Sequence, residues 1–212
     1  MQKPTLLGIV GGSGSGKSWL ARHLKESLGP QKVAALQQDW YYRDLSHLPE
    51  EKAAKTDFDT PASLELDLLE SHLRELSKGH PVEAPQYDFS RFSRKNETLT
   101  IEPRSLIIVD GLFILHEKPI ANLLDISVYV DTPSDVRLLR RIRRDLSERG
   151  YELDRILQFW EHDQIPSFTK FVHPQSKRAS LIWDSMQDTA LVPALLADLQ
   201  NRTTRYADQP TI

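Results

Sequence analysis

Short apolar runs alternate with longer amphipathic stretches along this chain, and the alternation predicts strands separated by helices. Leu6 to Val10 is a continuous apolar run of strand length, and Trp19 to Leu28 follows with Leu20, Leu24 and Leu28 on one helical face. Val33 to Leu36 is a second β-branched and apolar run, set off by the Gly29-Pro30 stop. Pro61 opens a helix whose broad apolar face is Leu64, Leu66, Leu68, Leu69, Leu73 and Leu76, ending at Lys78-Gly79. Ser105 to Gly111 and Ile126 to Asp131 are strands with both faces apolar, the pattern of a covered parallel sheet. Thr132-Pro133-Ser134 then starts an arginine-rich helix and Leu153 to Trp160 continues as an amphipathic one. Ile165-Pro166 ends or kinks that helix, Ala179 to Trp183 is the last strand, and Leu191 to Leu199 is a terminal helix before a polar tail from Asn201.

Two segments break the alternation. Leu45 to Phe58 is rich in Glu and Lys and predicts an exposed connection. Pro81 to Asp88 and Glu97 to Ile101 read as a β-ribbon joined by the polar stretch Ser90 to Asn96, an insertion over residues 82–101 that projects from the sheet. Tyr87 and Phe92 in it either meet a planar ligand or pack the ribbon onto the body. The expected fold is α/β, a central parallel sheet flanked by helices, with this ribbon and an arginine-rich helical lid over residues 134–171, all in one domain spanning 1–212.

Composition narrows the class. With 39% hydrophobic and 27% charged residues over 212 positions, the chain supports one sizeable core, and no apolar run reaches membrane-spanning length. Met1 to Lys3 lead straight into the first strand, so no secretory signal is expected and a cytoplasmic location is. The absence of cysteine excludes disulfides, thiolate metal sites and a cysteine nucleophile. The seven histidines have no metal-binding spacing, and a net charge of −3 gives no general attraction to nucleic acid. Positive charge is local instead.

The chemistry starts at Gly11-Gly12-Ser13-Gly14-Ser15-Gly16-Lys17-Ser18, directly after the first strand. Gly12 to Gly16 let consecutive backbone N–H groups turn towards phosphate oxygens, Lys17 adds a movable positive charge, and the Ser18 hydroxyl reaches Mg²⁺. Asp110, at the tip of its strand, completes the metal site. Asp39 follows the second strand, where ligands of parallel sheets sit, and is either a loop or N-cap aspartate or the group that takes a proton from an attacking hydroxyl. An aspartate carboxylate is ordinarily a weak base, so its main work would be orienting the hydroxyl. Arg140, Arg141 and Arg144 recur at i, i+1, i+4 and are expected to converge on phosphates, with Arg149 further on; Arg137 and Arg143 are expected to face solvent.

The ordered set of motifs resembles the uridine kinase family, related to phosphoribulokinase. It comprises the Gly11 to Ser18 loop, Gln38-Asp39-Trp40-Tyr41-Tyr42-Arg43, Asp57-Phe58-Asp59-Thr60-Pro61, Gly79 to Phe89, Val130-Asp131-Thr132, Arg140 to Asp145 and Ser147-Glu148-Arg149-Gly150. The resemblance implies that ATP phosphorylates the 5′-hydroxyl of a nucleoside, uridine or cytidine, with Mg²⁺. It implies Asp39 as the catalytic acid position, with Lys17 and Arg144 at the transferring phosphate. Asp59 would grip ribose hydroxyls and Arg141 lie on the sugar side. Arg144 and Arg149 would neutralise phosphate, and Tyr87 would lie beside the base.

The chain departs from the family where the base would be read. Phe92 stands where animal relatives carry His, Tyr151 where they carry Arg, and Phe159 where they carry a base-facing Gln. Weaker discrimination between uracil and cytosine is expected, because a site specifies a base through polar groups that a wrong base leaves unpaired. Asp110 also stands where Glu is usual. Two other readings stay open: a kinase of another hydroxylated metabolite, such as nicotinamide riboside or a sugar phosphate, and an ATP-binding sensor without chemistry. Oligomeric state also stays open.

Overall fold

The computed structural model describes residues 3–53 and 56–207. Ala54 and Lys55 of the Glu/Lys-rich connection, the end of the polar tail at 208–212, and Met1 and Gln2 lie outside the described residues. In chain order the elements begin with β1 (Thr5–Gly11), α1 (Lys17–Leu28), β2 (Val33–Gln37), α2 (Glu50–Ala53) and α3 (Leu66–Ser77). The ribbon region holds β3 (Val82–Ala84), β4 (Tyr87–Asp88), β5 (Ser93–Arg94) and β6 (Leu99–Ile101). Then come β7 (Leu106–Gly111), α4 (Lys118–Ala121), β8 (Ile126–Asp131), α5 (Ser134–Glu148), α6 (Leu153–Phe159), α7 (Ile165–Ser167), β9 (Leu181–Asp184) and α8 (Leu191–Ala207).

Five strands form one parallel sheet in the order β2-β7-β1-β8-β9. Period-two alternation sorts its side chains into two layers. Leu6 and Val10 of β1 and Ile107 and Val109 of β7 join Leu69, Leu73 and Leu76 of α3 on one face. Leu7 and Ile9, with Leu106 and Ile108, join Leu20, Leu24 and Leu28 of α1 and Val192, Leu195 and Leu199 of α8 on the other. The continuous apolar strands of the sequence are therefore covered on both faces, as their composition predicts.

Four details differ from the sequence expectation. The ribbon is two short antiparallel ladders, β3 with β6 and β4 with β5, because Pro85 lies between β3 and β4 and has no N–H to donate. Its base is also packed: Val82, Ala84 and Ile101 belong to the core beside α3, so only its tip can project. Pro166 does not end the helix before it; the run from α6 continues helically to Val172, with π-helical turns at Trp160–Gln164 and Phe168–Val172 on either side of α7. The wider i→i+5 spacing accommodates a residue that cannot donate. Finally α8 runs on to Ala207, and buried Thr203 extends the Val192, Leu195, Leu199 stripe past Asn201.

Candidate active site

The glycine-rich segment is an anion-binding turn between β1 and α1. Gly14 and Gly16 have φ of 76° and 100°, in the left-handed region, and the Ser15 N–H donates to the Gly12 carbonyl at 3.1 Å. A side chain at Gly14 would run into the backbone carbonyl of Arg137, so packing as well as φ demands glycine. Ser15 is fully buried and Ser13 nearly so, and the first turn of α1 opens directly behind them. Exposed N–H groups at that helix start suit phosphate.

The start of α5 braces this turn from outside. Thr132 Oγ1 donates to the Ser15 carbonyl at 2.9 Å, and Arg140 Nη1 donates to the same carbonyl at 3.1 Å and to that of Gly14 at 3.4 Å. Arg137 is buried, not solvated as expected: its Nε donates to the Thr132 carbonyl at 3.2 Å and its guanidinium lies 3.9 Å from the centre of the Phe168 ring. Arg143 is exposed, as expected. Arg140 and Arg141 also part company, the first towards the outer side of the turn, the second into the cleft described next. Consecutive helical residues differ by about 100° in direction, so i and i+1 do not share a target.

A cleft of about 710 Å³, its mouth included, lies over the carboxyl ends of the strands. Ser13 and Lys17 line one end, with Asp39 and Tyr42 from the 3₁₀ turn that follows β2. Arg141, Arg144 and Arg149 enter from α5 and its C-terminal end, and Asp59 from the loop before α3. Phe58, Phe89, Phe92, Tyr151, Arg155 and Phe159 complete the wall, so five cations, Lys17 among them, face Asp39, Asp59 and Asp163. That excess of positive charge matches a polyanionic ligand.

Each charged group feels the others. Burial holds the Lys17 ammonium below its ordinary range, against the pull of Asp39 and Asp110; Arg144 and Arg149 push it further down. Burial raises the Asp59 carboxyl, offset by Arg141 and a hydrogen bond from the Gln164 side chain. Tyr42 sits between Asp39 and Asp59, which reinforce the effect of burial in raising its phenol well above the usual range.

Ser18 and Asp110 lie in an adjoining groove, where the Ser18 hydroxyl donates to Asp110 Oδ2 at 2.7 Å. Two hard oxygens at the end of the phosphate turn suit Mg²⁺, which takes one or two protein oxygens and the rest from water and phosphate. Among the described residues no group of three or more His, Cys, Asp or Glu side chains could hold a metal by itself. Burial pushes the Asp110 carboxyl up to about 6, partly offset by Lys17 and Ser18. A raised carboxyl means the folded state holds this proton more tightly than the unfolded chain, so stability falls as pH rises from about 4 through about 6. Asp110→Asn, which mimics the neutral acid, should therefore raise the melting midpoint of the ligand-free protein at pH 7.5, with the gain shrinking towards pH 5. Equal gains at both pH values would refute this.

Not every residue of the expected site lines the cleft. Tyr87 is buried behind the cleft, packed on Phe89 at 5.1 Å and Tyr42 at 5.5 Å between ring centres, and Phe89 lines the wall in its stead. Gly12, Gly14, Ser15 and Gly16 shape the turn without their side-chain positions lining the cleft. Phe92 does line it, with φ of 53° and its ring stacked on Phe58 at 5.8 Å. Tyr42 and Phe58 were legible only as parts of motifs; Asp145 carried no signal beyond its place among arginines.

A phosphate-binding turn on a parallel sheet, a movable lysine and an adjacent carboxylate in a cationic cleft define a P-loop kinase. Comparison with known proteins gives the family. The sequence profile described as "Phosphoribulokinase / Uridine kinase family" matches residues 6–192, and the chain belongs to that family. A uridine kinase of Clostridium novyi (strain NT) is 43% identical over 182 residues, 86% of this chain and 88% of the relative. Among solved structures, a putative fructose transport system kinase from Silicibacter sp. TM1040 superposes with a TM-score of 0.69 at 17% identity, over 87% of this chain and 91% of that one. A possible uridine kinase from Bacillus stearothermophilus gives 0.55 at 21% identity, over 87% and 90%. These two likenesses concern the fold alone. Among the described residues no helix is long and apolar enough to cross a membrane.

Proposed function

We propose that this chain transfers the γ-phosphoryl group of ATP to the 5′-hydroxyl of uridine or cytidine. The observation that carries the reading is a single cleft lined by Lys17 and Asp39 together with Asp59 and Arg141, the last acting on Asp59. The 43% identical relative named for uridine supports the acceptor.

The acceptor oxygen attacks the γ-phosphorus, its proton passes to Asp39, and the bond to the β-bridging oxygen breaks with its electron pair leaving on ADP. Lys17, Arg144 and Arg149 offset the negative charge on the transferring group. In a largely dissociative transfer, such positioning and charge stabilisation supply most of the acceleration. Ser18 and Asp110 would hold Mg²⁺, which would supply positive charge to offset the negative charge of the phosphates. Asp59 would accept both vicinal ribose hydroxyls, which restores hydrogen bonds to a carboxylate that burial disfavours.

The base would meet aromatic faces. Tyr151 and Phe159 both carry the Arg155 guanidinium, at 4.5 and 5.3 Å from their ring centres, and Phe92 offers no polar edge. Stacking tolerates any base, whereas discrimination needs hydrogen bonds. A panel of uridine, cytidine, nicotinamide riboside and sugar phosphates with ATP tests the reading: uridine and cytidine should be used within about tenfold of each other in kcat/KM. Phe92→His should widen that ratio, and imidazole also suits the left-handed backbone better than phenyl. Turnover of a non-nucleoside alcohol with no nucleoside used would sink the proposal.

A further inference from the structure

Asp145, in the last turns of α5, has no solvent exposure. Three of the cleft arginines converge on its carboxylate. Arg141 Nε donates to Oδ2 at 3.1 Å, Arg144 Nε donates to Oδ1 at 2.8 Å with its Nη2 also 2.8 Å from that oxygen, and Arg149 Nε lies 3.5 Å from Oδ1. The sequence spacing makes this possible: Arg141 and Arg149 stand one helical step of four residues on either side. The Asp145 carbonyl also accepts the Tyr151 N–H at 3.1 Å, so the turn that brings Tyr151 into the wall closes on the same residue.

Two features set this cluster apart from an ordinary buried ion pair. The first is which edge of each guanidinium is used. Arg141 and Arg149 approach Asp145 through Nε, at 3.1 and 3.5 Å. The second is that the arginines act on different charged groups of the cleft. Arg141 is the strongest charge opposing the effect of burial on Asp59, at the acceptor end, whereas Arg144 and Arg149 act on Lys17, at the phosphate end. One carboxylate therefore ties both ends together, and it offsets the mutual repulsion of three cations that would otherwise splay apart.

Resting on the kinase reading above, we propose that Asp145 is a positioning residue that joins Arg141, Arg144 and Arg149 into one unit, so that filling either end of the cleft strengthens binding at the other. A long arginine side chain loses rotamer freedom when a ligand fixes it. A phosphate that orders Arg144 and Arg149 also orders the carboxylate they share, and through it Arg141. The acceptor then meets an arginine already in place, and the relation is reciprocal because it is a binding free energy.

The test is a thermodynamic cycle on the full chain by titration calorimetry. Uridine is titrated with and without a saturating non-hydrolysable ATP analogue and Mg²⁺, and the analogue is titrated with and without uridine. In the wild type uridine should bind about tenfold tighter with the analogue present. In Asp145→Asn, of equal size but unable to accept from three guanidinia, the ratio should fall to within about twofold of one. In Asp145→Glu, which restores the charge one methylene further out, it should lie between. Should Asp145→Asn fail to fold by circular dichroism, Asp145→Glu decides, with a ratio equal to that of the wild type overturning the proposal. A merely structural role would weaken both single affinities and leave the ratio intact, which also overturns it. Uridine binding without coupling in the wild type defeats this inference alone; no uridine binding while the analogue binds normally defeats the acceptor reading with it.

Discussion

Asp39→Asn is expected to bind ATP within about twofold of the wild type and to lose a factor of about 10² to 10⁴ in kcat, the usual contribution of a positioned proton acceptor. The substitution keeps the shape of the side chain and removes the capacity to take a proton. The turn that carries it is held by other groups. Gln38 Oε1 accepts the Phe113 N–H at 2.9 Å, the Tyr41 hydroxyl meets His72 Nδ1 at 2.9 Å, and the Tyr41 carbonyl accepts the Glu65 N–H at 2.8 Å. None involves the Asp39 carboxylate, so an unfolded variant would not be the cause of lost turnover. Equilibrium binding of an ATP analogue together with steady-state rates separates the two effects, and full turnover would remove Asp39 from the chemistry. ATP binding intact with no transfer by the wild type, across the whole acceptor panel, would favour a sensor.

Lys17→Met should cost about 10³ in kcat/KM for ATP, in the range seen when one preorganised electrostatic donor is removed. Lys17 is the charge on which Asp39, Asp110, Arg144 and Arg149 all act, so it stands where Asp39, the metal position and two of the cleft arginines meet. Methionine keeps most of the apolar stem and deletes the ammonium. The loss should appear in both kcat and KM, because the charge helps hold the ground-state phosphates and stabilises the transferring group more. A variant whose KM rises while kcat stays unchanged would assign Lys17 to binding alone. Lys17→Arg should not rescue, since a planar fork does not replace a compact point charge in a turn built around it.

Much of this was legible in the residues themselves. Continuous apolar runs identify covered parallel strands, and glycine spacing with Lys17 and Ser18 identifies the phosphate turn, because both rest on local geometry that neighbouring residues dictate. Asp110 could be placed at a strand tip for the same reason. The direction of each arginine could not. Helical spacing says that Arg140, Arg141 and Arg144 are neighbours, yet Arg140 turns to the loop carbonyls, Arg137 is buried against Phe168 and Arg141 enters the cleft. What each one meets depends on elements far away in the chain.

The same division runs through the ribbon and the far end of the helical run. Tyr87 and Phe89 are two residues apart, both aromatic and both packed on Tyr42, yet in the folded chain Tyr87 is buried and Phe89 lines the cleft. Pro166 signals a stop by its own chemistry, yet π-helical turns carry the backbone past it. By itself the sequence determined the fold class, the phosphate turn and the list of charges available, since short-range periodicity and spacing encode them. Helical spacing puts Arg141, Arg144 and Arg149 within reach of Asp145, but only the tertiary structure decided that this carboxylate gathers them out of contact with water, because its burial arises from long-range packing.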